Sequence, residues 1–222
     1  VIRGYLNFMH SPKRILLEAN FHCKYVDTGK NTLCGYYDVS PFQPDNPQNI
    51  LVISTNASPF FPPDNSKPCK IHIFDWINNQ NVKTIDETYA WNWQQGCRSG
   101  WLNSEKIIYN VFENMKYFAK VYDCISESTR NMESPVMAWY KDELYCTLDF
   151  KLLNKRNIDY GYRAHKPTSD FDESISILDQ ENSKLIWSIN FTEAFQRLPI
   201  CNLSPETKAT AFFNHPMFSP DG

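Results

Sequence analysis

The sequence predicts an all-β fold, a β-propeller of four-stranded antiparallel blades, of which the chain carries about three and a half. Three observations lead there. Aromatic residues make up 15% of the chain and Pro outnumbers Gly by 14 to 7, a composition that suits short strands and stiff loops better than long helices. A unit of aromatic anchor, polar turn and β-rich run recurs, with Phe42, Trp101, Trp139 and Phe218 as the anchors. A second β-like run, closing on Asp, follows each of the first three anchors.

In chain order the units open with PFQPDNPQNILVIS from Pro41, GWLNSEKIIYNVF from Gly100, AWYKDELYCTLDF from Ala138 and a truncated MFSPDG from Met217. The Asp-closed runs are KIHIFD to Asp75, AKVYD to Asp123 and SISILD to Asp179. A fourth short strand is clear in the first unit (VKTID) and the third (KLIWSI), and not in the second. Strand, turn, strand, loop, strand, turn, strand is the pattern of a propeller blade, expected at about 40–45 residues. The anchors are irregularly spaced, so insertions are expected near 54–68 and 150–173. Turn chemistry alone would also suit a β-sandwich, and the triple recurrence of the terminal Asp is what favours blades. The whole of 1–222 is thus expected to be a single propeller domain, cut at its C-terminus in the Ser219-Pro220-Asp221-Gly222 turn of the next hairpin. Two stretches depart from the strand pattern: 206–211, and FTEAFQRL, which is expected to form a short helix capped by Thr192.

A net charge of −3 and a pI near 6.0, with Lys and Arg scattered, make no case for nucleic acid or an anionic membrane surface. No run approaches the roughly 20 apolar residues that span a bilayer. Seven cysteines, without a CxxC pair, indicate neither a zinc site nor a complete disulfide framework, so reduced core thiols are expected. That favours the cytoplasm, with the periplasm or cell surface as alternatives. Three triplets, at Asn56, Asn190 and Asn202, fit the glycosylation sequon, a pattern that arises easily in an Asn-rich chain. Phosphate loops, GxSxG elbows and HExxH motifs are missing from the sequence.

Side chains at the starting ends of innermost propeller strands face a funnel. Three residues before the anchors stand Val39, Arg98, Val136 and His215, and one position earlier stand Asp38, Cys97, Pro135 and Asn214. Arg98, His215, Asp38 and Asn214 are therefore candidate rim residues. The stretch WNWQQGCRSGW suits a sugar: Trp93 can stack on a ring, Gln94 and Gln95 can bond hydroxyls, and Arg98 can hold a carboxylate in a bidentate fork. The competing structural reading has the Trp residues packing between blades, the Gln side chains tying backbone, and Arg98 paired with a nearby Asp. His215 is a candidate proton carrier or metal ligand, or a structural hydrogen-bonding group. The run LDFKLLNKRNIDYGYRAH places Tyr160, Tyr162 and Arg163 either in a binding loop over the funnel or in a solvated insertion, with Gly161 supplying a permissive backbone.

Taken together, FNHPMFSPDG, GYYDVSPF and WQQGCR resemble, over roughly residues 35 to 222, bacterial propeller proteins related to oligogalacturonate lyases and the Tol-type propellers. The resemblance implies an acidic oligo- or polysaccharide ligand, and possible β-elimination with a divalent metal, Mn or Ca, held by His and Gln side chains. It would make Arg98 and His215 catalytic and His215 a metal ligand, although His10, His22 and His72 lie outside the matched motifs. On that reading Arg98→Ala and His215→Ala abolish product formation and leave folding intact. The alternative is a non-catalytic scaffold with a protein partner on the blade rim.

Overall fold

In the computed structural model the described residues are 26–36, 38–61, 63, 66–163, 173–197, 204 and 211–219. They form three four-stranded antiparallel sheets. Blade 1 comprises β1 (Asn31–Leu33), β2 (Asn49–Thr55), β3 (Cys69–Asp75) and β4 (Gln80–Thr88). Blade 2 comprises β5 (Gly100–Trp101), β6 (Lys106–Glu113), β7 (Lys116–Asp123) and β8 (Thr129–Asn131), and blade 3 comprises β9 (Ala138–Tyr140), β10 (Leu144–Thr147), β11 (Ser174–Asp179) and β12 (Leu185–Asn190). Each sheet runs as a meander in sequence order. The fold is an incomplete β-propeller, as the sequence predicts, and blade 2 has the fourth strand that its sequence does not announce.

The recurring Asp has a local cause. Asp75 Oδ1 accepts the N–H groups of Ile77 and Asn78, Asp123 Oδ1 those of Ile125 and Ser126, and Asp179 Oδ1 those of Glu181 and Asn182. Each carboxylate bonds the backbone two and three residues on, closing the hairpin to the outer strand. These bonds favour the charged form. Asp75 is held below the ordinary carboxylate range, first by the Asn78 N–H, with Gln48, the Asn78 side chain and Ile77 adding to it against opposing burial. The Ser126 N–H does the same for Asp123. A depressed carboxylate contributes stability that is fully present above the unfolded-state pKa and lost as pH falls through the folded value. Asp75→Asn keeps an acceptor but cannot titrate, so its urea midpoint is expected to fall less steeply than that of the wild type on acidification. Parallel midpoint-versus-pH curves would contradict this account.

The first blade begins differently from the prediction. Its inner strand β1 precedes Pro41 and pairs with the far end of β2, Asn31 opposite Thr55 and Leu33 opposite Ile53. Phe42 makes only an isolated bridge to Ile50. Pro41, Pro44 and Pro47 lack the N–H that a ladder needs, so the segment around the anchor cannot run as regular strand.

Strand alternation sorts the core. Leu51, Ile53, Ile71 and Ile73 of blade 1 cluster with Trp101, Ile107, Tyr109 and Val111 of blade 2. The other face of blade 2, with Ile108, Ala119 and Val121, packs on Tyr145 and Leu178 of blade 3. Blade 2 is thus covered on both faces. On the edge strand β12, by contrast, Leu185, Ile186 and Trp187 are exposed.

The 150–173 insertion opens as a helix, α1 (Phe150–Arg156), capped by the Asp149 carboxylate on the N–H groups of Lys151 and Leu152. A second short helix, α2 (Phe191–Arg197), follows β12. Asn190 rather than Thr192 caps it, its Oδ1 accepting the Glu193 N–H. A cap must sit just outside the helix, and Thr192 lies within it. Pro220, Asp221 and Gly222 of the terminal turn, and 206–210 of the other helix-friendly stretch, lie outside the described residues. Among the described residues no helix is long and apolar enough to cross a membrane. Cys34, Cys69, Cys97, Cys124 and Cys146 are free thiols, and burial raises the pKa of Cys69, Cys146, Cys34 and Cys124.

Candidate functional site

All four anchors line one cleft. Phe42, Trp101, Trp139 and Phe218 surround a space of about 510 Å³, together with Asp38, Arg98, Tyr140 and Met217 among others. Trp101 is buried and its Nε1 donates to the Pro41 carbonyl at 3.0 Å, which fastens blade 2 to the anchor segment of blade 1. Gly100 is required beside it, because a Cβ there would lie 2.3 Å from the Trp139 ring. The Tyr140 and Phe218 rings sit 6.0 Å apart, and Phe42 is 45% exposed. The cleft is therefore walled by aromatic faces, some of them open to solvent.

Arg98 and Asp38 meet at the cleft wall. Nη1 and Nη2 of Arg98 donate to the two Asp38 oxygens at 3.1 and 2.8 Å. The Arg98 side chain is 1% exposed and that of Asp38 13%. This bidentate pair is the competing structural reading of Arg98, and it engages the fork that the sequence offers to a ligand carboxylate. The guanidinium also lies 5.9 Å from the Tyr36 ring centroid.

Behind the pair sits His215. Its Nε2 is 3.0 Å from Tyr36 Oη and 3.3 Å from Gln95 Nε2. Its ring stacks on Tyr36, with centroids 5.6 Å apart, and meets the edge of Tyr160 at 4.9 Å. Burial lowers the His215 pKa, the Arg98 charge lowers it further, and Asp38 partly opposes this. These influences favour the neutral imidazole.

Arg98 and His215 share a backbone feature that their sequence does not display. Both have left-handed φ, 52° and 53°, a conformation that costs a non-Gly residue on the order of 1–3 kcal/mol. The turn that sets Arg98 is built by Asn92. Asn92 Oδ1 accepts the N–H groups of Gln94 and Gln95, its backbone pairs with Gly96, and its Nδ2 donates to the Tyr160 and Gly161 carbonyls. The Asx-turn signal of an Asn two and three residues before two amides is the one that would have found Asn92 in the sequence.

The remaining candidates are dispersed. Gln95 and Asn214 join the His215 neighbourhood, where Gln95 Oε1, Arg98 Nε and Asn214 Oδ1 are buried without a hydrogen-bond partner. Trp93 is not among the residues that line the cleft; its ring is edge-on to Trp91 and its Nε1 donates to the Phe61 carbonyl. Gln94 and Arg163 are exposed. Tyr162 is fully buried and stacks on Phe150 with centroids 4.2 Å apart. Its hydroxyl accepts from Asn110 Nδ2, so its ring belongs to the core and offers no face to a ligand. Asn110, absent from the candidates, is wholly buried and ties Tyr162 to the Val136 N–H and carbonyl.

A divalent metal does not fit these residues. Among the described residues no group of three or more His, Cys, Asp or Glu could hold one. Near His215 the carboxylate is Asp38, whose two oxygens are engaged by Arg98, and the guanidinium charge opposes a second cation beside it.

No protein-family model and no curated protein sequence matches the chain. Among solved structures it is similar to the β-propeller domain of the Trilobed protease from Pyrococcus furiosus, at 13% identity over 64% of this chain and 40% of that one, TM-score 0.37. It is also similar to an acylaminoacyl peptidase of Pyrococcus horikoshii, at 14% identity over 64% and 23%, TM-score 0.37. A third is the isopeptidase AtxE2, at 10% identity over 70% and 30%, TM-score 0.40. The chain spans less than half the length of each. The fold assignment rests on the three antiparallel sheets of the chain itself.

Proposed function

We propose that the chain is a carbohydrate-binding propeller module whose inner cleft takes a saccharide by ring stacking. The observation that carries this reading is the convergence of all four aromatic anchors on one cleft beside a polar wall. Exposed aromatic faces accept the apolar faces of sugar rings, and a few fixed polar groups orient the hydroxyls. The lining favours a ring-shaped ligand over an acidic one. One cation and one anion line the cleft, and they pair with each other. A neutral sugar fits this balance better than a polyuronate.

Lyase chemistry needs a cation free to stabilise the enolate. Arg98 is committed to Asp38 and a metal does not fit, so this reading of the described residues is one of binding without cleavage. The test is isothermal titration of neutral and uronate oligosaccharides, with absorbance followed for unsaturated ends. Phe42→Ala removes an exposed stacking face with little cost to folding, and is expected to weaken saccharide binding roughly tenfold. Unsaturated product would overturn the non-catalytic reading, and unchanged affinity would overturn the cleft assignment.

The second reading is a protein-interaction scaffold. It is favoured by the exposed Leu185, Ile186 and Trp187 on the edge strand β12, since an open edge carrying apolar side chains is a pairing surface for partners. Blank saccharide titrations with Trp187→Asp abolishing partner capture would select it.

A further inference from the structure

A second cavity, of about 320 Å³, lies at the opposite end of β2 from the Phe42–Ile50 bridge. It is lined by Lys30, Lys67 and Lys70, by Ser54 and Thr55, and by Glu87 among others. We propose that this cavity binds a small oxyanion, the phosphate, sulfate or carboxylate group of a ligand of monosaccharide size.

Charge is the first argument. Among the described residues three Lys and one Glu line the cavity, on a chain whose net charge is −3. Lys70 approaches Glu87 only to 3.7 Å, and Lys30 and Lys67 make no ion pair among the described residues. Uncompensated ammonium groups around a concave wall attract anions. The field reaches into blade 1. His72, whose Nε2 is 2.7 Å from Ser54 Oγ, has its pKa lowered by burial first and then by the charges of Lys30 and Lys70.

Construction of the wall is the second argument. The loop between β2 and β3 is the first insertion foreseen in the sequence, and it is pinned at four points. Asn31 Nδ2 donates to the Ala57 carbonyl and Trp93 Nε1 to that of Phe61. Trp91 Nε1 donates to the Lys67 carbonyl and Thr55 Oγ1 to that of Pro68. The Trp91 indole thus holds the backbone that carries Lys67, and Thr55 holds that of Pro68 beside it. Preorganisation of this kind lowers the ordering cost of binding.

The test is titration of the 222-residue chain with inorganic phosphate, sulfate and chloride, followed by amide chemical shifts. Phosphate and sulfate are expected to give saturable shifts at Lys30, Lys67 and Lys70, with chloride giving none. Lys67→Ala is expected to weaken binding by roughly three- to tenfold, the loss of one charge-assisted contact on a solvated site. Glu87→Gln is expected to tighten it, because a competing carboxylate is removed. Galacturonate and glucose 6-phosphate arms then identify which acid group the cavity prefers. Absence of saturable shifts with any of these anions would overturn the proposal. So would an affinity unaltered by combined Lys30→Ala and Lys67→Ala substitution in protein whose urea midpoint is unchanged.

Discussion

Arg98→Ala is expected to lower the unfolding free energy by about 3–5 kcal/mol, the cost of breaking a buried ion pair by removing one partner. The Asp38 carboxylate, 13% exposed, would lose both of its guanidinium hydrogen bonds and keep its charge. Domains of this size have only about 5–15 kcal/mol of net stability, so the variant is near its folding limit. The buried pair therefore predicts a folding cost for Arg98→Ala, where the sequence alone predicts intact folding. Arg98→Lys does not rescue the pair, since a point-charge ammonium cannot reproduce two parallel N–H donors. Replacing both partners together, as Asp38→Leu with Arg98→Met, is expected to recover most of the loss, because neither variant side chain is then a stranded charge. Urea denaturation of the two single variants and the double variant measures the coupling. A cost below about 1 kcal/mol for Arg98→Ala, typical of solvated surface pairs, would show that the pair is not buried in the sense argued. The same number governs any binding assay: loss of ligand affinity in Arg98→Ala reports on the cleft only in protein shown to be folded.

The second large effect is expected at Gly161. An alanine Cβ there would lie 2.0 Å from the Asn154 nitrogen and 2.4 Å from both the Asn154 Cα and the Phe150 carbonyl oxygen. All three are backbone atoms of α1, so no side-chain rotation relieves the contact. Gly161→Ala is expected to cost about 3 kcal/mol or more, at the top of the usual range for overpacking. The damage should be local first. Tyr162 N–H bonds the Phe150 carbonyl, and Tyr162 stacks on Phe150 and accepts from Asn110, so displacing α1 unseats that ring and leaves buried polar groups unpaired. Limited proteolysis is expected to find new cleavage within 150–163 before the blades unfold. Gly29→Ala is the control: it has φ of 69° and nothing within 4 Å of the added Cβ, so it meets only the left-handed penalty of about 1–2 kcal/mol. Equal midpoints for the Gly161 variant and the wild type would refute the close approach. The sequence reading asked Gly161 for a permissive dihedral, whereas the structure asks it for space.

What was legible follows from sequence distance. The Asp-closed hairpins were legible because a carboxylate bonding amides two and three residues ahead writes its requirement into a short string, and three copies of that string fixed the blade pattern. The rim alignment brought out Asp38, Arg98, Asn214 and His215 for a similar reason: a repeat carries equivalent positions with it. Asn92 also acts locally, on amides two and three residues ahead, and its turn lies among three Trp residues that dominate the same short string. Asn110 was not legible, since its partners Val136 and Tyr162 lie 26 and 52 residues away and a buried Asn inside YNVF has no local signature.

The sequence by itself determined the all-β class, the repeat, the hairpin closures and the aromatic anchors, all properties of period, turn chemistry and composition within a few residues. Only the tertiary structure decided what the rim side chains are free to do. Arg98 meets a carboxylate 60 residues away and His215 meets a tyrosine 179 residues away, and in a low-dielectric interior it is such partners, rather than residue type, that set whether a charge is spent within the protein or offered to a ligand.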